Sequence, residues 1–231
     1  MLPALTVCFG SLAGELMNQK TSRTSRLAAF RDLYLDGGWS GTDGETVSGT
    51  GSTLEYTQSV RHLLPVVFDT YGITSVVDAP CGDFNWFKEI PLPDVDYVGV
   101  DIVPEMIASN SDRYSSERRS FLCADATCDP LPKADLFFCR DLLLHIPWDD
   151  CTKVMHNAMS SGFEWFMFSS YDIAQNSDVD SAFGYRPLNL QRPPFDLPAA
   201  EASIPDFIDG FRSRHLLLWN REQIADAIAV L

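Results

Sequence analysis

Basic residues are scarce in this chain. Lys and Arg total 17 against 32 Asp and Glu, for a formal charge of −15. A surface short of Lys and Arg argues against nucleic acid as substrate, because phosphate binding draws on those side chains. It also disfavours anionic membrane surfaces. No run is long and apolar enough to span a bilayer. The six cysteines (Cys8, Cys81, Cys123, Cys128, Cys139, Cys151) form no C-x-x-C pair and no zinc-ligand spacing. Cys81, Cys123 and Cys139 lie in or beside apolar strand-like runs. They read as buried free thiols of a reducing compartment, hence a cytoplasmic protein. Internal repeats and low-complexity tracts are absent. So is G-x-G-x-x-G, which removes the main support for a dinucleotide-dependent dehydrogenase. Met1–Gly14 lacks a basic start and is interrupted by Pro3 and Gly10. It reads as a cap helix or an unordered beginning, with a targeting role left open.

What is present is a core. The 231 residues are 45% apolar, enough for one large domain or a domain with a small cap. Leu27, Phe30, Leu33 and Tyr34 recur at helical spacing, with Arg26 and Arg31 read as lying off that face. Gly37-Gly38 stops this helix, and the Gly/Ser/Thr-rich stretch from Trp39 to Ser52 reads as a loop, either linker or lid. A second helix is expected from Thr53 to Tyr71, with Leu63, Leu64, Val67 and Phe68 on its buried face and a kink or break at Pro65.

Three buried strands follow, each closed by an aspartate. Thr74–Asp78 runs into the turn Ala79-Pro80-Cys81-Gly82-Asp83, where Gly82 leaves the backbone open to close approach. A helix from about Phe84 to Glu89 would then offer its first N–H groups to a ligand. Tyr97–Asp101 ends about twenty residues beyond the turn, where a carboxylate can accept from both hydroxyls of a ribose. Asp101 can equally cap the helix that opens at Pro104. Ser120–Ala126 carries the third aspartate, Asp125. A fourth strand, Ala134–Asp141, leads to Leu142-Leu143-Leu144-His145-Ile146-Pro147. A helix (149–161), a fifth strand (164–171), a long Pro-rich loop (172–200), an antiparallel hairpin and a last helix capped by Asn220 complete the chain.

Asp78 with Gly82, then Asp101, Asp125 and the Leu-x-His-Ile-Pro run together resemble class I S-adenosylmethionine-dependent methyltransferases, from about Ser75 to Trp219. Pro80 and Phe84 stand where glycines are usual in that family's first motif. The resemblance implies an α/β fold. It would be a Rossmann-like three-layer sandwich with a mostly parallel seven-stranded sheet, an antiparallel C-terminal hairpin and an N-terminal helical cap. Residues 1–72 would be cap and lid loop, and 73–231 the S-adenosylmethionine-binding domain. It implies cofactor contacts at Asp78, Pro80, Cys81, Gly82, Asp83 and Trp86. Further contacts follow at Asp101 for the ribose, at Ile102, at Asp125 and Ala126 for the adenine edge, and at Arg140 or Asp141 near the amino-acid moiety. Catalytic duty falls to His145 and Asp141, with a packing role for His145 left open. Trp39, Tyr171, Arg186 and Asn189 are the candidate acceptor contacts. Asp141 and Asp172 follow adjacent strands, as metal-binding carboxylates do in catechol methyltransferases. No third ligand accompanies them, and no metal is assigned.

The expected activity is methyl transfer by in-line displacement to a small polar O- or N-nucleophile. S-adenosylmethionine is the donor and S-adenosylhomocysteine the product. The alternative is an S-adenosylmethionine-binding pseudoenzyme or regulatory subunit. A monomer or homodimer is expected, with no nucleic acid or membrane partner.

Overall fold

The computed structural model describes residues 23–38, 44–179 and 184–231. Helix α1 covers residues 23–35. The remaining helices are α2 (Gln58–Tyr71), α3 (Pro104–Tyr114), α4 (Trp148–Ser161) and α5 (Arg221–Ala229). The strands are β1 (Ser75–Asp78), β2 (Asp96–Asp101), β3 (Arg119–Cys123), β4 (Leu136–Cys139), β5 (Trp165–Tyr171), β6 (Ala202–Pro205) and β7 (Arg214–Asn220). They form one seven-stranded sheet in the order β3-β2-β1-β4-β5-β7-β6. Strands β1 to β5 are parallel, and β7 runs antiparallel between β5 and β6. This is the Rossmann-like sandwich expected from the resemblance, with the C-terminal pair closing one side.

The central strands are apolar at successive positions because both sheet faces are covered. Val77, Phe137, Phe166 and Phe168 enter one core with α4 and α5. Val76, Phe138 and Met167 enter the other with α2. The strand period of two divides each run between the layers. Edge strand β3 is half exposed, and Cys123 on it faces solvent, as does Cys128, whereas Cys81, Cys139 and Cys151 are buried. The expectation of a buried thiol at Cys123 therefore fails, because an edge strand has only one covered neighbour.

Helix α2 begins five residues later than expected. A short 3-10 turn (Thr50–Ser52) and turns through Thr57 precede it. Pro65 lies within its 14 residues without ending it. Its buried face is Val60, Leu64, Val67 and Phe68, while Leu63 points outward. The helix expected from Phe84 is reduced to one 3-10 turn, Phe87–Glu89. Phe84 adopts φ 59°, and its buried ring packs on Phe87, Tyr97, Tyr114 and Phe121. Burying that ring outweighs the helical geometry. No helix among the described residues is long and apolar enough to cross a membrane.

Candidate functional site

Ligands of open α/β sheets sit beyond the carboxyl ends of the strands. Here that rim opens into a cavity of about 380 Å³, within the range of small-molecule sites. Asp78, Asp101 and Asp125 all line it, together with Pro80, Cys81, Gly82, Trp86, Ile102, Ala126, Arg140, Asp141, His145 and Tyr171. Three expected site residues among the described ones, Asp83, Arg186 and Asn189, are not brought there. Asp83 binds the preceding loop through Thr46 Oγ1 (2.7 Å) and the Val47 N–H (2.8 Å). Arg186 is buried beside Cys151, with Nη2 3.6 Å from its sulfur. Asn189 folds the 172–201 loop by donating to Ile173 O (2.8 Å) and accepting from the Gln191 N–H (2.9 Å). Polar residues in a long buried loop satisfy its backbone before they serve a ligand. Trp39 lies outside the described residues.

The three aspartates differ in what they have left to offer. Asp101 accepts the Gly82 N–H (3.2 Å) and the Val103 N–H (3.0 Å), one on each oxygen. Burial lifts its pKa to about 6, against the pull of those backbone donors. Asp78 accepts from the Tyr97 hydroxyl (2.7 Å). Burial raises its pKa to about 8, although Tyr97 and the Arg140 charge favour the ionised form. Both carboxylates therefore retain acceptor capacity. Asp125 does not. One oxygen takes Arg26 Nε (3.1 Å) and Nη2 (3.0 Å), and the other takes the Thr127 N–H (2.9 Å) and hydroxyl (2.7 Å). These four bonds fill a carboxylate's roughly four lone-pair sites.

Arg26 is thus no surface residue. One helical turn before Phe30, it shares that buried face, and it also reaches Asp150 (3.0 Å). Arg26 and Phe30 line the cavity, as do Ser48–Ser52 of the following loop. The close approach of that loop explains Gly82. At φ 55°, a Cβ there would lie 2.6 Å from Ser48 Oγ.

Beyond β4, β5 and β7 the lining changes. Arg140 forks onto Asp206 (3.0 and 2.9 Å), donates to Gly51 O (2.7 Å) and stacks over Trp86. Arg214 meets Asp141 (2.6 Å) and the Asp206 carbonyl (2.8 Å). Burial would raise the Asp141 pKa, but the Arg214 and Arg140 charges outweigh it and hold it below the usual carboxylate range. His145 ends a 3-10 turn (Leu143–His145), and its Nδ1 donates to Gly184 O (3.3 Å). That bond fixes the tautomer with the lone pair on Nε2. Burial lowers the His145 pKa despite nearby Asp141, so the neutral ring dominates at pH 7. Tyr56, Asp206 and Arg214 carry much of this end, and nothing local in the sequence singles them out. No group of three His, Cys, Asp or Glu suited to a metal occurs among the described residues.

A family profile described as a methyltransferase domain matches residues 76–161, the segment from β1 through α4. Solved structures of methyltransferases share the fold of this chain at low identity. The magnesium protoporphyrin IX methyltransferase of Synechocystis PCC 6803, with bound SAM, is 13% identical with a TM-score of 0.56, over 84% of this chain and 96% of that one. Human N-acetylserotonin methyltransferase in complex with SAM is 14% identical with a TM-score of 0.52. The match covers 72% of this chain and only 55% of the human enzyme's length. The mitomycin 7-O-methyltransferase is 13% identical with a TM-score of 0.55, over 72% of this chain and 54% of that one. No curated protein matches in sequence.

Proposed function

We propose that this protein is a methyltransferase that uses S-adenosylmethionine to methylate a small polar O- or N-nucleophile by in-line displacement. The observation that carries the reading is the meeting of Asp78, Asp101 and Asp125 in one cavity at the strand ends. The donor set fits the cofactor. Asp101 keeps acceptor sites for a ribose diol, and Asp78 is a buried carboxylate suited to a cationic ligand. The Ala126 backbone is left to meet the adenine edge, since Asp125 is engaged by Arg26. Pro80, Cys81, Gly82, Trp86, Ile102 and Arg140 complete the proposed contacts. Residues 1–72 would act as cap and lid over the domain at 73–231, a role supported by Arg26, Phe30 and Ser48–Ser52 in the cavity wall.

When bound, S-adenosylmethionine supplies a methyl group on a positive sulfur, which keeps the bonding pair as the methyl leaves. The chain's work is then alignment and exclusion of water. His145 takes the proton that the acceptor loses as its lone pair bonds to the methyl carbon. Asp141, held ionised between two arginines, orients that end rather than acting as the base. The named small-molecule substrates of the structural neighbours and the acidic composition support a small acceptor, and the free thiols support a cytoplasmic location.

Calorimetry with S-adenosylmethionine and S-adenosylhomocysteine tests the donor, and product mass after incubation with an acceptor panel tests the transfer. Binding of both without any turnover would favour the pseudoenzyme reading. Absence of binding would remove the proposal.

A further inference from the structure

One wall of the cavity is a continuous row of rings drawn from distant parts of the chain. Phe211 meets Tyr56 edge to face at 5.2 Å. The Arg214 guanidinium lies over Tyr56 at 5.0 Å and over Tyr171 at 5.8 Å. The Tyr171 and Tyr185 hydroxyls are 3.1 Å apart, and the Tyr185 ring lies 5.9 Å from His145. All six residues line the cavity. The row ends in two rings that the fold leaves uncovered, Phe211 at 52% and Tyr185 at 61% exposure. Exposed large aromatic surface inside a binding cavity is surface held ready for an apolar ligand.

The charges at this end cancel. Arg140 and Arg214 face Asp141 and Asp206, two positive against two negative, and each arginine contacts both aspartates or their backbone. An anionic or cationic ligand group would find no counter-charge that is not already paired, and would carry its own desolvation cost. Arg214 Nη2 itself lies 3.0 Å from Asp206 Oδ2, beside the Gly51 backbone that also lines the cavity.

We infer that the methyl acceptor is a neutral, planar aromatic molecule carrying its nucleophile as a ring hydroxyl. This rests on the donor reading above and adds the substrate class. Rings take ring faces and edges along the Tyr56–Tyr185 row, and the paired charges select against carboxylated or ammonium-bearing relatives. His145, at the end of the same row, is the group that meets the hydroxyl.

The test is calorimetry on the whole protein saturated with S-adenosylhomocysteine, with 2-naphthol, 6-hydroxy-2-naphthoate and cyclohexanol as probes. The expected result is 2-naphthol binding about tenfold or more tighter than the other two. Phe211→Ala and Tyr185→Ala should each weaken 2-naphthol by about 3–10-fold, with S-adenosylhomocysteine affinity unchanged. Both side chains are exposed, so both variants should fold. Equal binding of cyclohexanol, tighter binding of the naphthoate, or indifference to both substitutions would overturn the inference. If S-adenosylhomocysteine does not bind, the donor reading fails. The 2-naphthol titration, repeated without it, then judges the aromatic wall alone.

Discussion

The two ends of the cavity are built on opposite principles. Over β1, β2 and β3 the lining is a set of backbone turns and strand-terminal carboxylates, two of them short of partners. Over β4, β5 and β7 it is a lattice of side chains in which two arginines and two aspartates answer one another. At the first end burial raises the pKa of Asp78 to about 8 and that of Asp101 to about 6. The second holds Asp141 ionised, below the usual range. The first end is built from local, repeated strand endings, whereas the second gathers its side chains from across the fold.

The comparison breaks most readily at Arg214. Arg214→Ala would leave Asp141 without its shortest ion pair and Asp206 with Arg140 alone, at a cost of about 3–5 kcal/mol in urea unfolding. A loss below about 1 kcal/mol would show that this end is not held by its ion pairs. Next in size, Asp101→Ala should lose about 1–3 kcal/mol of S-adenosylmethionine affinity in calorimetry. An unchanged dissociation constant would remove the ribose assignment.

The pH dependence sharpens the contrast. Asp78 binds its proton more tightly folded than unfolded, so its contribution to stability is lost as pH rises from about 4 through about 8. A cationic ligand prefers the ionised carboxylate. Donor affinity should therefore rise with pH, by up to about tenfold per unit below pH 8, with proton release on binding. Asp78→Asn should flatten that profile and raise the melting temperature of the ligand-free protein at pH 8 by a few degrees, roughly 2–4 °C per kcal/mol. A profile as steep in the variant as in the parent would place the linked proton elsewhere. The smallest effect is expected for Asp83→Ala. It should cost about 1 kcal/mol of stability and speed protease cleavage within residues 44–52.

The donor end was largely readable from the chain because each strand writes its own ending. Asp78, Asp101 and Asp125 close apolar runs at regular intervals, and the parallel order of β1 to β3 sets those endings side by side. The acceptor end was not readable in the same way. Tyr56, Asp206 and Arg214 are unremarkable in their local segments and meet only because β7 inserts beside β5. Arg186 and Asn189 looked available in a polar, Pro-rich stretch, yet packing turned both inward. Arg26 was misread as a helix's wet side, although its spacing from Phe30 was the signal that placed it on the buried one.

The Arg26 side chain has a practical corollary for anyone trimming this protein. Sequence motifs invite a cut near residue 73, where the recognisable fold begins. Such a fragment would strand Asp125 without the cation that neutralises it, leave Asp150 to Lys153 alone, and remove Phe30 and Ser48–Ser52 from the cavity wall. The leading helix is therefore as much a part of the cavity's frame as the sheet, and a shortened version should behave as a damaged protein, not a minimal one.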